Sequence, residues 1–591
     1  MRSFIQILSF LLLTASCGSS ESNAQSIAPN AKVVTVQTKV NYNGILSCNT
    51  DKALYRPGEV VHFSASGSLP SDCHVRYRSI EGIIDDQPLE DQYWEWVAPD
   101  KDFCGYMVEI YTSSSGTETI YGTIAVDVSS DWNRFPRYGF VASYDASKTD
   151  EVIAEEMAFL NRCHINGIQY YDWHYKHHWP LGGKRGGLLD TYTDIAYRSI
   201  VTDVIRKYIS CHHAYGMKTM FYNLCYGALD DAPSEGVKDQ WYMYKLPGHT
   251  DKDVLLMSNS WKSNIYLMNP GNPDWQKYIV ERNDDVYASF DFDGYHIDQV
   301  GERGSVYDYD GNTINLPKGF SSFISEMKKS HPNKRLVMNA VASFGASQIA
   351  STACVDFLYN ELWDSESQFS DLLKVRKANS SYSNNQLQTM FAAYMNYDKQ
   401  SGDFNTPGVL LTDAVMFAIG GAHLELGDGH MLCHEYFPNS RLKISEALRR
   451  SLISYYDFQT AYQNLLRGDG LESVSDIASE DKEIAINAWP PQLKQVTTYS
   501  KEVGNRQIIH LLNFRQANKL SWRDMDGSMP EPLEISNLPL VYKTNRDVNR
   551  IWVASPDYIG GARQEVSFVQ KDGEVRFSLP ALKYWTMIVI E

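Results

Sequence analysis

Two short apolar and aromatic runs in this chain end on acids. FDGYHIDQVG (292–301) carries Asp298 near its end, and VDFLYNELWD (355–364) carries Glu361 with Trp363 just after it. An acid among apolar neighbours holds its proton more tightly than in water, because burial disfavours the charged form. One acid kept protonated and one kept ionised are the minimum machinery for breaking a glycosidic bond. Read as a strand, the first run puts Gly294, His296 and Asp298 on one face, with Asp298 at the C-terminal end. Asp293 falls at the strand's start, where a structural partner is expected. The bland alternative for Asp298 is an aspartate at a strand-to-loop turn.

Acids so far apart in sequence need a scaffold that gathers strand ends. Eight candidate strands lie at 137–144, 166–174, 217–225, 292–300, 335–341, 355–363, 387–395 and 422–429. Amphipathic stretches such as DEVIAEEMAFLNRC and SFISEMKKSH separate them. This alternation predicts a (β/α)8 TIM barrel over 131–475, whose active site would sit at the C-terminal strand ends. Before it, VVTVQTKV and EVVHFSASG, broken by turns, predict an Ig-like β-sandwich over 33–130. After it, RQIIHLLNF and EVRFSLPALKYWTMIVIE predict an antiparallel β-sandwich over 476–591. The fold class is therefore a multidomain chain with a central barrel between two β-domains.

Strand ends then nominate substrate-binding residues: Asp172 and His174 on the second, Asn223 and Tyr226 on the third, His296 on the fourth. Asn339 ends the fifth, Trp363 follows the sixth, and Glu425 and Asp428 close the eighth. Glu425 and Asp428 could equally hold a loop, and His177 and His178 read as structural. Trp363 is expected to stack on a sugar ring, whereas Trp261 and Trp275 could as well be buried between helices.

Composition narrows the partner. The 591 residues carry a formal charge of −18, which disfavours nucleic-acid backbones, and 13% aromatics, which suits sugar stacking or β-rich cores. The opening MRSFIQILSFLLLTASCGSS reads as a lipoprotein-type signal over 1–16, with Cys17 as the lipidated residue and a tether over 17–32. The expected location is the bacterial envelope, periplasmic or cell-surface, with the membrane touched only through that anchor. The other eight cysteines form no CxxC pair. HYKHHW and CHHAYG do not match a zinc motif, and DYDGN (308–312) reads as a turn, because an EF-hand would need Glu where Gly319 stands. No Walker A loop or GxSxG elbow is present. No metal and no cofactor are expected, and the chain should act as a monomer.

Six ordered motifs carry a resemblance: PRYGFVASYD (136–145), QYYDWHYKHHWP (169–180), MNPGNPDWQKYI (268–279), FDGYHIDQVG, YNELW (359–363) and HLELGDG (423–429). TDKALYRPGEVV (50–61) and the C-terminal LPALKYWTMIVIE add to it. Together they resemble glycoside hydrolase family 66, the dextranases and cycloisomaltooligosaccharide glucanotransferases. The resemblance implies a (β/α)8 barrel acting on α-1,6-linked glucans with retention. It implies Asp298 as nucleophile, Glu361 as acid/base, and a part in activity for Asp172. Retention would place the two carboxyls ~5–5.5 Å apart. The family's cyclising members carry an extra carbohydrate-binding module inside the barrel, for which the strand spacing here leaves no room. The expected activity is an endo-dextranase releasing isomaltooligosaccharides, with cyclising transfer and non-catalytic glycan binding as alternatives.

Overall fold

A computed structural model describes residues 31–591; the signal and Cys17 lie outside the described residues. All eight candidate strands form, and they pair in chain order as one parallel sheet. They are β1 (Tyr138–Val141), β2 (Gly167–Tyr170), β3 (Lys218–Leu224), β4 (Gly294–Asp298), β5 (Arg335–Val341), β6 (Leu358–Glu361), β7 (Thr389–Ala392) and β8 (Gly421–Leu424). The sheet curls until the Phe140 amide donates to Leu426 O just past β8, at 3.1 Å, which nearly closes a barrel.

Helices fill the connections: α1 (Asp150–Arg162), α2 (Thr202–Ala214), α3 (Pro273–Ser289), α4 (Leu316–Ser330), α5 (Ala346–Ser351), α6 (Phe369–Tyr382), α7 (Thr406–Ala418) and α8 (Glu446–Ala461). Their sequences explain them. In α4 the buried Phe320, Phe323, Ile324 and Met327 recur at helical spacing and face the sheet. In α3, Asn272 caps the Asp274 and Trp275 amides and Pro273 takes the first turn, where no amide is missed.

Side-chain alternation sets what fills the barrel. Tyr138, Phe140, Met220, Val337, Tyr359, Met390, Ala422 and Leu424 point inward and pack together. Trp132 plugs the N-terminal mouth with its indole bonded to Asp356 at 2.8 Å. Residue 167 must be glycine there, because a Cβ would sit 2.0 Å from the Trp132 ring.

Regions on either side of the barrel are β-rich. Ahead of it lie a three-stranded sheet and a five-stranded one around Val61, Phe63, Tyr77, Val108 and Val126. After it, seven- and five-stranded sheets enclose Ile509, Leu511, Leu540, Phe577 and Ile588. The sequence expectation misplaced one strand. Lys32–Val34, expected at the junction of the tether and the first β-domain, pairs antiparallel with Phe568–Val569–Gln570 of the last sheet. Its alternation signals a strand and cannot name the partner. The C-terminal sheets also depart from a purely antiparallel pattern, because Ile486–Ala488 runs parallel to Val496–Thr498.

Candidate active site

The inward face of the barrel delivers two carboxylates to its C-terminal rim. Asp298 is the last residue of β4 and Glu361 the last of β6; both are half-buried. Asn339, on the intervening β5, joins them. Its Nδ2 donates to Asp298 Oδ1 at 2.8 Å and to Glu361 Oε2 at 2.8 Å. Two oxygens each 2.8 Å from one nitrogen can be no more than 5.6 Å apart. Hydrogens of one amide lie ~120° apart, which sets the separation at about 4.9 Å.

Each carboxylate also takes a phenol. Tyr222 OH donates to Asp298 Oδ2 at 2.7 Å, and Tyr394 OH to Glu361 Oε1 at 2.5 Å. Burial and then the nearby Asp298 charge push Glu361 up to about 7. Burial also raises Asp298, but Tyr222 and Asn339 favour its ionised form. Tyr394 and Asn339 likewise favour the ionised form of Glu361, and the two acids titrate as a unit, with the Asp298 charge adding to burial in raising Glu361. One acid that can donate near neutrality and one anion beside it is the arrangement for covalent glycosyl transfer.

Around the pair, β2 contributes Tyr171, stacked on Phe437 at 4.2 Å and donating to Glu435 O at 3.1 Å. Asp172 follows with φ 46°, a left-handed conformation that marks a constrained strand end. Its Oδ2 is buried without a hydrogen-bond partner, and burial pushes it up to about 8 against the pull of Arg198. His174 packs on Tyr222 with ring centroids 5.9 Å apart; both its nitrogens are buried without partners, so burial keeps it neutral. Trp363 lies beside Tyr394 and Tyr397, at centroid distances of 5.6 and 6.4 Å.

Five nominated residues do not reach this cleft. Asn223 points outward from β3, its Oδ1 accepting from His177 Nδ1 at 2.9 Å and its Nδ2 donating to His177 O at 2.8 Å. Tyr226 accepts from the Val300 amide at 3.0 Å and braces the loop after β4. His296 lies inside the barrel below the rim, near Tyr138 OH at 3.2 Å and edge-on to Tyr359. Glu425 faces outward, bonded to Tyr456 of α8 at 3.0 Å. Asp428 accepts the Ala142 and Ser143 amides at 3.1 and 3.0 Å, so it holds the end of β1. Strand parity explains Asn223 and Glu425: each is one residue out of step with the inward set. The same parity turns Tyr222 and Tyr394 inward, two residues absent from the strand-end expectations.

Asp293 does take structural partners, receiving Lys218 Nζ and the Thr219 amide at 2.9 Å each. Among the described residues, two further clusters have metal-ligating side chains. In His178, Asp231 and Glu235, Lys176 Nζ already contacts both carboxylates, at 2.5 and 2.7 Å. Asp413, His423 and Glu425 are fully buried behind β8. The DYDGN segment is a turn closed by Asp308, which accepts the Asn312 amide at 2.8 Å.

Comparison with known proteins gives a family match over residues 50–589, to glycosyl hydrolase family 66. A cycloisomaltooligosaccharide glucanotransferase of Niallia circulans is 27% identical over 709 aligned positions, covering 92% of this chain and 72% of that one. A dextranase of Streptococcus salivarius is 23% identical, covering 82% of this chain and 67% of that one. Among solved structures, a Paenibacillus sp. cycloisomaltooligosaccharide glucanotransferase complexed with cycloisomaltoheptaose superposes with a TM-score of 0.84 at 24% identity. That match covers 93% of this chain and 100% of the other, and it shows a shared fold.

Proposed function

The chain belongs to glycosyl hydrolase family 66, and from that premise we propose that it cleaves internal α-1,6-glucosidic bonds of dextran by a retaining double displacement. The observation that carries this reading is the Asn339 bridge. Its 5.6 Å ceiling on the two bridged oxygens supports the ~5–5.5 Å spacing of retaining glycosidases over the ~6.5–9.5 Å at which an inverting enzyme makes room for its water.

Glu361, protonated at the start, gives its proton to the leaving glucosyl O6. Asp298, an anion held by Tyr222 and Asn339, attacks the anomeric carbon and forms a glycosyl ester. Proton loss leaves Glu361 ionised, so it can take a proton from the incoming water, which releases the sugar and restores both groups. Asn339 holds both carboxyls through both steps, which keeps their separation constant while the charge moves between them. Trp363 offers its ring to the sugar on the leaving side.

Hydrolysis is favoured over cyclisation by chain economy. The longest connection between barrel strands, from Leu224 to Gly294, holds 69 residues and folds into its own three-stranded sheet. About 544 residues of this chain, 92% of 591, match the Niallia enzyme over 709 positions, so about 165 positions there have no counterpart here. A second reading, cyclising transfer, is favoured by the higher identity to the glucanotransferases, 27% and 26%, than to the dextranase, 23%. Incubation with linear dextran decides between them. Linear isomaltooligosaccharides with rising reducing ends support the hydrolase. Non-reducing cyclic products select the transferase, and unchanged dextran overturns both.

A further inference from the structure

The loop between the two C-terminal sheets, residues 514–534, leaves its own region and enters the catalytic rim of the barrel. Trp522 is fully buried there, with its indole donating to Glu366 O at 2.5 Å and its carbonyl accepting from Thr412 at 2.8 Å. Asp524 is equally buried, at φ 42°, and accepts Asn405 Nδ2 at 2.7 Å and the Ser528 and Met529 amides at 3.0 Å each. These two anchors fix the residue between them.

Arg523 is 4% exposed. Its Nη2 donates to the carbonyl of Leu362 at 2.7 Å, the residue that follows Glu361, and its own carbonyl accepts the Asn396 amide at 3.0 Å. Its guanidinium lies 5.6 Å from the Trp363 ring centre and 5.7 Å from that of Tyr397. Its ion-pair partner among the described residues is Asp364 at 3.7 Å, a fully exposed side chain. Arginine suits this place because its flat fork can hold a carbonyl while its face covers aromatic rings.

We propose that Arg523 is a positioning residue for the acid/base: the C-terminal region reaches across the rim to fix the strand end that carries Glu361, fasten the Trp363–Tyr397 wall, and set one positive charge beside the carboxyl. The proposal rests on the reading of Glu361 as acid/base. The other groups facing Glu361 are Asp298 and Glu435, both acidic, the donors Asn339 and Tyr394, and Tyr359 from below. Arg523, held on the carbonyl of the residue next to Glu361, brings a positive charge to that set, and Asp364, Tyr394 and Tyr397 act on it more strongly than Glu361 does. The consequence is that the C-terminal region takes part in proton transfer at the leaving-group side, beyond bracing the barrel.

Two variants separate charge from hold. Arg523→Gln keeps a donor for Leu362 O and removes the charge; Arg523→Lys keeps the charge and loses the two-sided hold. The readout is the pH profile of kcat/KM on dextran, with thermal unfolding to confirm that each variant folds. Glu361 must be protonated to act, so its titration sets the basic limb. Removing a nearby cation makes the proton harder to lose, and the limb of Arg523→Gln should move up by about 0.5–1 pH unit. Arg523→Lys should leave the limb in place while kcat falls several-fold. A folded Arg523→Gln with an unmoved limb, or an Arg523→Lys limb displaced as far as that of Arg523→Gln, overturns the proposal. Wild-type activity in Glu361→Gln would instead overturn the reading on which it rests.

Discussion

Asp298 and Glu361 meet on the inner face of the barrel wall, and Asp413 and Glu425 meet on its outer face, behind β8. Burial raises proton affinity in both pairs, Glu361 to about 7 and Glu425 to about 8. Their neighbours differ. The inner pair is bridged by an amide, held by two phenols, and open to the cleft. The outer pair shares His423, whose Nδ1 lies 2.7 Å from Asp413 and whose Nε2 donates to Ala393 O at 2.9 Å, and it is sealed by α7 and α8. A raised carboxyl therefore reports burial. Chemistry also requires strand parity that turns the acid inward and neighbours that let one member stay ionised.

The sharpest way to break the comparison is to delete the inner acids. Asp298→Ala and Glu361→Ala should each lower kcat/KM on dextran by ~10³–10⁵-fold while the protein stays folded, because each removes one half of the double displacement proposed above. Azide distinguishes them. It should give a β-glucosyl azide with Asp298→Ala, since a small anion replacing the nucleophile inverts the centre. Near-normal turnover by either variant would dissolve the distinction between the pairs.

Asn339→Ala tests the bridge itself. Without the shared amide the carboxyls lose their fixed spacing, and misplacement of this kind costs on the order of 10²-fold in kcat. Single-turnover kinetics on dextran, beside a thermal-unfolding control, would measure it. A variant as fast as wild type would mean the strands alone set the separation.

Tyr394→Phe and Tyr222→Phe act on one carboxyl each, with about a tenfold loss expected from one hydrogen bond to a charged group. The sign separates them. Tyr394 donates to Glu361 and favours its ionised form, so its loss should move the basic limb of kcat/KM above pH 7. Tyr222 donates to Asp298, and its loss should move the acid limb up. Identical shifts in both profiles would show that the phenols do not address single carboxyls.

How far the sequence could reach follows from these residues. The barrel was legible because short apolar runs and amphipathic helices alternate eight times; Asp298 and Glu361 stand out as acids ending apolar strands, and the roles expected of them come from the family resemblance alone. Side-chain facing is legible by parity, which turns His296 and Asp298 inward on β4 and Asn223 and Glu425 outward at β3 and β8, so residue type without position misleads there. What no periodicity encodes is which distant segments meet. Arg523 stands in a polar segment without periodicity, and Lys32–Val34 pairs with a segment more than 500 residues away; both are fixed by tertiary contact.

Glu425→Gln should have the smallest effect on activity, and its value lies in what it leaves alone. Glu425 is bonded to Tyr456 and packed against Asp413, with no path to substrate, so kcat/KM on dextran should stay within about twofold of wild type. Stability should change with pH instead. Burial, then the Asp413 charge, lifts Glu425 from its ordinary value near 4.5 to about 8. A group raised in the folded state contributes stability that is fully present below its unfolded pKa and is lost as pH rises through the folded one. Wild-type Tm should therefore fall between pH 5 and pH 8. A glutamine keeps the shape, accepts from Tyr456, and can offer an amide hydrogen to Asp413 Oδ2, which has no protein partner. The variant should lose less Tm over the same interval, retaining only the part of the slope that Asp413 contributes. Equal slopes would mean that Glu425 is not the titrating member, and a collapse of activity would join the two pairs that the barrel wall keeps apart.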